Sequence, residues 1–155
     1  MTDPFFLQRF LIAQEGIYPT VVTELKSGHK RTHWMWFIFP QVDGLGLSET
    51  TRYYAIKSLA EARAYLDHPL LGTRLVECTA LLLALKGLSA HQIFNTPDDR
   101  KLQSCMTLFS NAANDPQLFD SVLTKYYEGS RDPRTDEILE VWRSTPSIPS
   151  EPNSR

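Results

Sequence analysis

The chain has 155 residues, 42% hydrophobic, 22% charged and 11% aromatic, the make-up of an ordinary globular domain large enough to bury a core without staples. Sixteen Lys and Arg against 18 Asp and Glu leave a net charge of −2, which excludes capture of nucleic acid by global charge and leaves only a local basic patch for that role. Cys78 and Cys105 have no CxxC spacing and the four histidines are scattered, so neither a disulfide framework nor a metal site is expected, and no cofactor. Met1-Thr2-Asp3-Pro4 lacks the positive region of a secretory signal, and the longest apolar stretches, Trp34 to Pro40 and Ala80 to Leu85, are too short to span a bilayer. A cytoplasmic protein without membrane partners is expected.

Prolines mark the helix starts in chain order. Asp3-Pro4, His68-Pro69, Thr96-Pro97, Asp115-Pro116 and Asp132-Pro133 each put a capping-type residue before a proline at the first helical position, where the missing N–H costs nothing. Gly16, Gly28, Gly87 and Gly129 supply the stops, and Ser58-Leu-Ala-Glu61 reads as a capping box. Apolar residues recur at three and four in 4–15, 69–86 and 117–127. The 69–86 segment is apolar nearly all round in its second half and is expected to be the central, buried helix. Seven or eight helices follow. The run Trp34-Met-Trp-Phe-Ile-Phe39 is short and bounded by a polar loop and Pro40, which predicts an extended or strand segment near 33–39. The fold class is therefore mainly α: a compact, irregular, single-domain helical bundle over 1–143 with that one extended segment. Residues 144–155, with four serines and three prolines, read as a disordered tail.

Several clusters could carry chemistry. His29, Lys30, Arg31 and His33 form a basic loop beside Trp34 and Trp36, which taken alone reads first as a solvated loop followed by core, although the pairing also suits a ligand with phosphate and base. Asp43-Gly-Leu-Gly46 fits neither the dinucleotide fingerprint nor the P-loop and reads first as a turn. Arg74 and Glu77 stand at i,i+3 on the expected buried helix, where a structural salt bridge competes with a functional carboxylate. Asp98 and Asp99 suit a helix N-terminus, with Lys101, Ser104 and Thr107 following on one face.

The residues Ser27-Gly28, His33-Trp-Met-Trp-Phe-Ile-Phe-Pro-Gln41, Gly44-Leu-Gly46, Tyr54-Ala-Ile-Lys57, His68-Pro69, Leu71-Gly72, Lys101-Leu102 and Met106-Thr-Leu-Phe109 resemble the domain-of-unknown-function 1810 family over about 4–140. The resemblance implies a mainly helical fold and, the family having no settled activity, little chemistry. Asn95 and Cys105 depart from its pattern, which has Gly and Ser there. Asn tolerates a left-handed backbone, and a cysteine that serine replaces is a poor nucleophile. A looser likeness, through Ser48-Glu49, Tyr54-Ala-x-Lys57, Ala62, Gly72 and Lys101-x4-Met106, is to the NADAR proteins, and implies ADP-ribose and N-glycosidic chemistry.

Two functions follow as expectations. In the first, the chain binds an ADP-ribose-like or nucleotide ligand and hydrolyses an N-glycosidic bond, with Glu49 or Glu77 as the carboxylate. Lys30, Arg74 and Lys101 would hold the phosphates, Trp34, Trp36 or Tyr54 would stack on the base, and His33, Gln41 and Ser104 would complete the site. In the second, a non-catalytic module uses the same basic and aromatic surface for a nucleotide, a nucleic-acid end or a protein partner. A carboxylate facing a cleft favours the first; an exposed or paired one favours the second.

Overall fold

The computed structural model describes residues 2–144. These fold into ten α-helices: α1 (Gln8–Gln14), α2 (Tyr18–Ser27), α3 (Met35–Ile38), α4 (Glu49–Tyr54), α5 (Leu59–Asp67), α6 (Leu71–Ala84), α7 (Ala90–Phe94), α8 (Asp98–Ala112), α9 (Gln117–Tyr127) and α10 (Pro133–Ser144). The expected tail lies, beyond Ser144, outside the described residues. No helix of the described residues is long and apolar enough to cross a membrane.

The local punctuation follows its chemistry in part: of the five prolines read as first helical residues only Pro133 is one, while Pro97 and Pro116 are the N-caps of α8 and α9 and Pro4 and Pro69 lie further upstream. Asp132 Oδ2 accepts the Thr135 N–H at 3.1 Å and opens α10 at Pro133. His68 Nδ1 accepts the Leu70 and Leu71 N–H groups at 3.1 and 3.2 Å ahead of α6. Asp3 acts further upstream than expected: Pro4 and Phe5 form a turn, and its carboxylate receives the Leu7 and Gln8 N–H groups at 2.8 and 2.9 Å. Ser58 accepts the Glu61 N–H at 3.0 Å, but the Glu61 carboxylate turns away to the Lys57 N–H and Arg9, so that box is half formed. The complete reciprocal box is at Ser89 and Gln92. Gly28 ends α2 in the left-handed region, with φ 75°. Asn95 also has positive φ, 61°.

The segment expected to be extended is instead the one-turn helix α3. Short apolar runs carry no periodicity that separates strand from helix. What decides is where the buried backbone finds partners. The Phe37, Ile38 and Phe39 N–H groups bond back to Trp34 and Met35 carbonyls, and the Phe37 carbonyl accepts Gln14 Nε2 at 2.7 Å. Among the described residues the single β-bridge lies just beyond, between Val42 and Ile56. It pins the loop after Pro40 to the α4–α5 junction through Asp43 N to Ile56 O and Ile56 N to Gln41 O, both 2.8 Å. Two further unanticipated helices are α7, opened by the Ser89–Gln92 box, and α4, which has no buried residue and so no apolar stripe to announce it.

The central helix is α8, not α6. Leu102, Cys105, Met106, Leu108 and Phe109 are fully buried there, and α8 packs on α5, α7, α9 and α10. Its buried hydroxyls disguise it in the sequence: Thr107 Oγ1 bonds the Gln103 carbonyl at 2.8 Å, which makes a polar residue cheap inside the core. By contrast α6 leaves Val76 exposed and Leu81 and Leu83 half-buried. One hydrophobic cluster runs from Leu7 before α1 to Leu139 in α10.

Candidate functional site

The basic loop before α3 is built around Glu24 of α2. Its buried carboxylate accepts the Arg31 and Thr32 N–H groups at 2.8 and 3.1 Å, the Thr32 hydroxyl at 2.8 Å and the Trp34 indole N–H at 2.9 Å. Burial alone would raise its pKa, but these donors outweigh it and hold the carboxyl down to about 2. Trp34 is thereby drawn into the core, at 1% exposure. Lys30 follows it inward: its ammonium pairs with Asp98 at 2.8 Å and lies 5.1 Å from the Trp34 ring centre. His33 is left exposed and lines none of the clefts.

Trp36, two residues on, is half-buried and faces a different neighbour. The Lys101 ammonium of α8 stands 5.2 Å from its ring centre and 3.7 Å from Asp98 Oδ1. Asp98 thus ties the two lysines, and the α3 and α8 segments, together. Beside them the pinned loop contributes Gln41, Leu45 and Gly46, and α4 contributes Thr51. With Arg100, Lys101 and Ser104 of α8 and Asp132, they line a cleft of about 240 Å³. A narrow extension, bounded by Trp36, Gln41, Thr51 and Tyr54, continues it. Beyond Tyr54 lies an open depression of about 620 Å³ with Glu49, Thr50, Arg52 and Tyr53. Burial raises the Tyr54 phenol pKa, reinforced by Tyr53, so Tyr54 remains a neutral donor and stacking face.

The tertiary fold therefore gathers Trp36, Gln41, Tyr54, Lys101 and Ser104 and leaves Lys30, His33 and Trp34 aside. Arg74 and Glu77 form a separate cluster on α6 and do not pair with each other. Arg74 lies 4.5 Å from the Tyr18 ring centre and donates to Gln14 Oε1 at 3.1 Å, while Glu77 accepts the Tyr18 hydroxyl. Glu77 is exposed and lines none of the clefts, so the buried carboxylate expected on α6 is absent there. Glu49 is exposed too, at the depression's edge.

The carboxylate in the cleft is Asp132, read from sequence only as a helix cap. Its Oδ2 lies 3.0 Å from Ser104 Oγ, 3.1 Å from Thr135 N and 2.5 Å from Thr135 Oγ1, and its own N–H donates to Thr107 Oγ1 at 2.9 Å. Among the described residues Oδ1 has no hydrogen-bond partner. Asp132 was overlooked because the Asp-Pro grammar fully explains it locally. Among the described residues no group of three or more His, Cys, Asp and Glu is placed to hold a metal.

A family model described as "Protein of unknown function (DUF1810)" matches residues 4–139. A crystal structure of the conserved hypothetical protein Rv1873 from Mycobacterium tuberculosis is similar over 89% of this chain and 99% of that one, with 53% identity and a TM-score of 0.88. No curated protein matches.

Proposed function

The chain belongs to the DUF1810 family, and from that premise we propose that it binds an ADP-ribose-like or nucleotide ligand in the cleft between α3, the 41–46 loop, α4 and α8. What supports the reading is the convergence of Trp36, Gln41, Tyr54, Lys101 and Ser104 from separate segments on one concavity. Arg100 and Lys101 offer charge for a phosphate, and the aromatic rings offer a face for a base. At about 240 Å³ the cleft is smaller than the roughly 300–1,000 Å³ of a whole-ligand site. An ADP-ribose-like molecule would place one part there and the rest across Tyr54 and Arg52 in the open depression.

Hydrolysis of an N-glycosidic bond is the second reading, and Asp132 favours it. A carboxylate with one oxygen held by Ser104 and Thr135 and the other unengaged is arranged to orient water toward an anomeric carbon as the carbon–nitrogen bond breaks. Glu49, at the far end of the depression, is the other carboxylate within the same surface; Glu77 is not part of it. Without that step the same cleft serves a binding module.

The test is a thermal-shift series with ADP-ribose, NAD, ATP, GMP and a short RNA on the wild type and on Lys101→Ala. A selective shift that weakens at least about tenfold in apparent affinity in Lys101→Ala supports the site, because a hydrogen bond to a charged group is worth about 1.5–3 kcal/mol. No shift with any of them refutes it. If a ligand binds, Asp132→Asn, which keeps the helix cap, separates the readings: turnover lost with binding retained marks an enzyme.

A further inference from the structure

A second cleft shares the Arg52–Tyr53 pair with the open depression and lies on its other side, away from the α8 cleft. It has a volume of about 600 Å³ and lies between the N-terminal segment, with Pro4, Phe5 and Phe6, and the α4–α5 junction, with Arg52, Tyr53 and Lys57. That volume is within the range of a small-molecule site.

Its walls are aromatic and unusually exposed. Phe6 and Tyr53 are each 50% exposed and meet edge to face, 6.1 Å between ring centres. Phe6 holds its ring there from a left-handed backbone, φ 53°, a conformation that costs a non-glycine residue energy and that its own ring burial does not repay. The strained backbone is over-determined from below. Arg9 Nη1 donates to the Phe5 and Phe6 carbonyls at 2.7 and 2.9 Å, Nε to Tyr53 at 2.8 Å, and Nη2 to Ala55 at 3.0 Å and to Glu61 Oε2 at 2.7 Å. One buried guanidinium therefore fixes both walls at once, and Glu61 neutralises it. The two aromatic rings stand in a preorganised frame.

The rim carries a positive surplus. Arg52 is exposed, and its guanidinium has no hydrogen bond or ion pair among the described residues. The Lys57 ammonium is held at the same rim by the Arg52 and Ala55 carbonyls, at 2.8 and 3.2 Å, and forms a long, exposed ion pair with Asp43 at 3.9 Å, which leaves Arg52 as the uncompensated charge. With the Arg9–Glu61 pair cancelled, the surplus is positive. We propose that this cleft binds a small organic anion with a flat apolar body, an aryl carboxylate or aryl phosphate, its ring seated against Phe6 and Tyr53 and its anionic head on Arg52 and Lys57.

The test is an NMR titration of the isotope-labelled full chain with naphthoate, naphthyl phosphate and the neutral naphthol. Saturable shifts of the Phe6, Tyr53 and Lys57 amides with the anions, and binding of naphthol weaker by about tenfold or more, are expected. Comparing naphthoate with naphthyl phosphate tells which head group the rim prefers. Arg52→Ala removes an unpaired surface side chain and should weaken both anions about tenfold. Phe6→Gly relieves the backbone and should abolish binding while leaving the rest of the spectrum in place. No saturation at millimolar ligand, equal binding of naphthol, or indifference to both substitutions would overturn the proposal. So would shifts centred on Trp36 and Lys101, which would return the ligand to the α8 cleft and leave the first reading standing.

Discussion

The Trp34 indole N–H donates to Glu24 Oε1 at 2.9 Å, and the two residues are 1% and 5% exposed. A carboxylate so enclosed is expensive unless its lone pairs are filled, and the loop between α2 and α3 fills them. The same bond decides which tryptophan is core. With Trp34 committed to Glu24, Trp36 is the ring left beside Lys101 and the cleft.

The Glu24 contacts predict a pH dependence. Its folded pKa, about 2, lies below the unfolded value of 4.5, so the unfolded chain binds the extra proton as pH falls. The stabilisation is fully present above about 4.5 and is lost between there and about 2, amounting to about 3 kcal/mol. Urea denaturation of the wild type across that window should give falling stability, while Glu24→Gln should be less stable at neutral pH and flatter in acid. A wild type and variant with parallel acid profiles would contradict the assignment.

Removing the Glu61 side chain leaves the Arg9 guanidinium buried without its counter-charge, the two side chains being 5% and 3% exposed. Glu61→Ala should cost about 3–5 kcal/mol in denaturant unfolding, the usual penalty for orphaning a buried ion. Glu61→Gln, which keeps the side-chain shape and one acceptor oxygen for either the Lys57 N–H or Arg9, should cost less. Equal losses would mean that the charge alone, and not the shape or a retained hydrogen bond, matters there.

Gly72 permits the close crossing of α5 and α6. A Cβ at this position would stand 1.9 Å from the Leu66 carbonyl oxygen and 2.7 Å from its carbon, both backbone atoms that cannot swing away. Gly72→Ala should therefore lose about 3 kcal/mol or more of stability, beyond the 1–3 typical of overpacking, despite alanine's better helix propensity. An alanine variant as stable as the wild type would show the crossing to be looser than drawn.

Both cysteines should be inert in the native chain. Burial pushes the Cys78 thiol up to about 12, against the lowering bond to Tyr18, and burial also holds Cys105 well above the usual thiol range. A thiol-specific reagent at mildly alkaline pH should leave both unmodified until denaturant is added. Fast native labelling of Cys105 would reopen it as a nucleophile.

Much of the helical punctuation was legible in the sequence because capping is settled within three or four residues. Asp132-Pro133, Ser58 with the Glu61 N–H, and Gly28 each need only their immediate neighbours to act. The resemblance carried by the His33–Gln41 block likewise identified the family. The candidate site was legible only in part, as residue types: Trp36, Gln41, Tyr54, Lys101 and Ser104 come together, while Lys30 and Trp34 of the same loop turn inward.

Those choices belong to partners far along the chain. Lys30 is drawn to Asp98, Arg74 to Gln14, Glu77 to Tyr18, and Arg9 to Glu61, and no local pattern encodes such pairings. The one-turn helix at Met35–Ile38 has the same origin: an apolar run takes whichever backbone pairing its surroundings provide, and here no neighbouring strand lies along it. The sequence by itself determined many of the helix ends, such as those at Gly28, Ser58 and Asp132, because hydrogen bonds at helix termini are local. The tertiary structure decided which face of each is buried, which charge meets which, and where the clefts open, because burial and ion pairing are set by residues that only folding brings near.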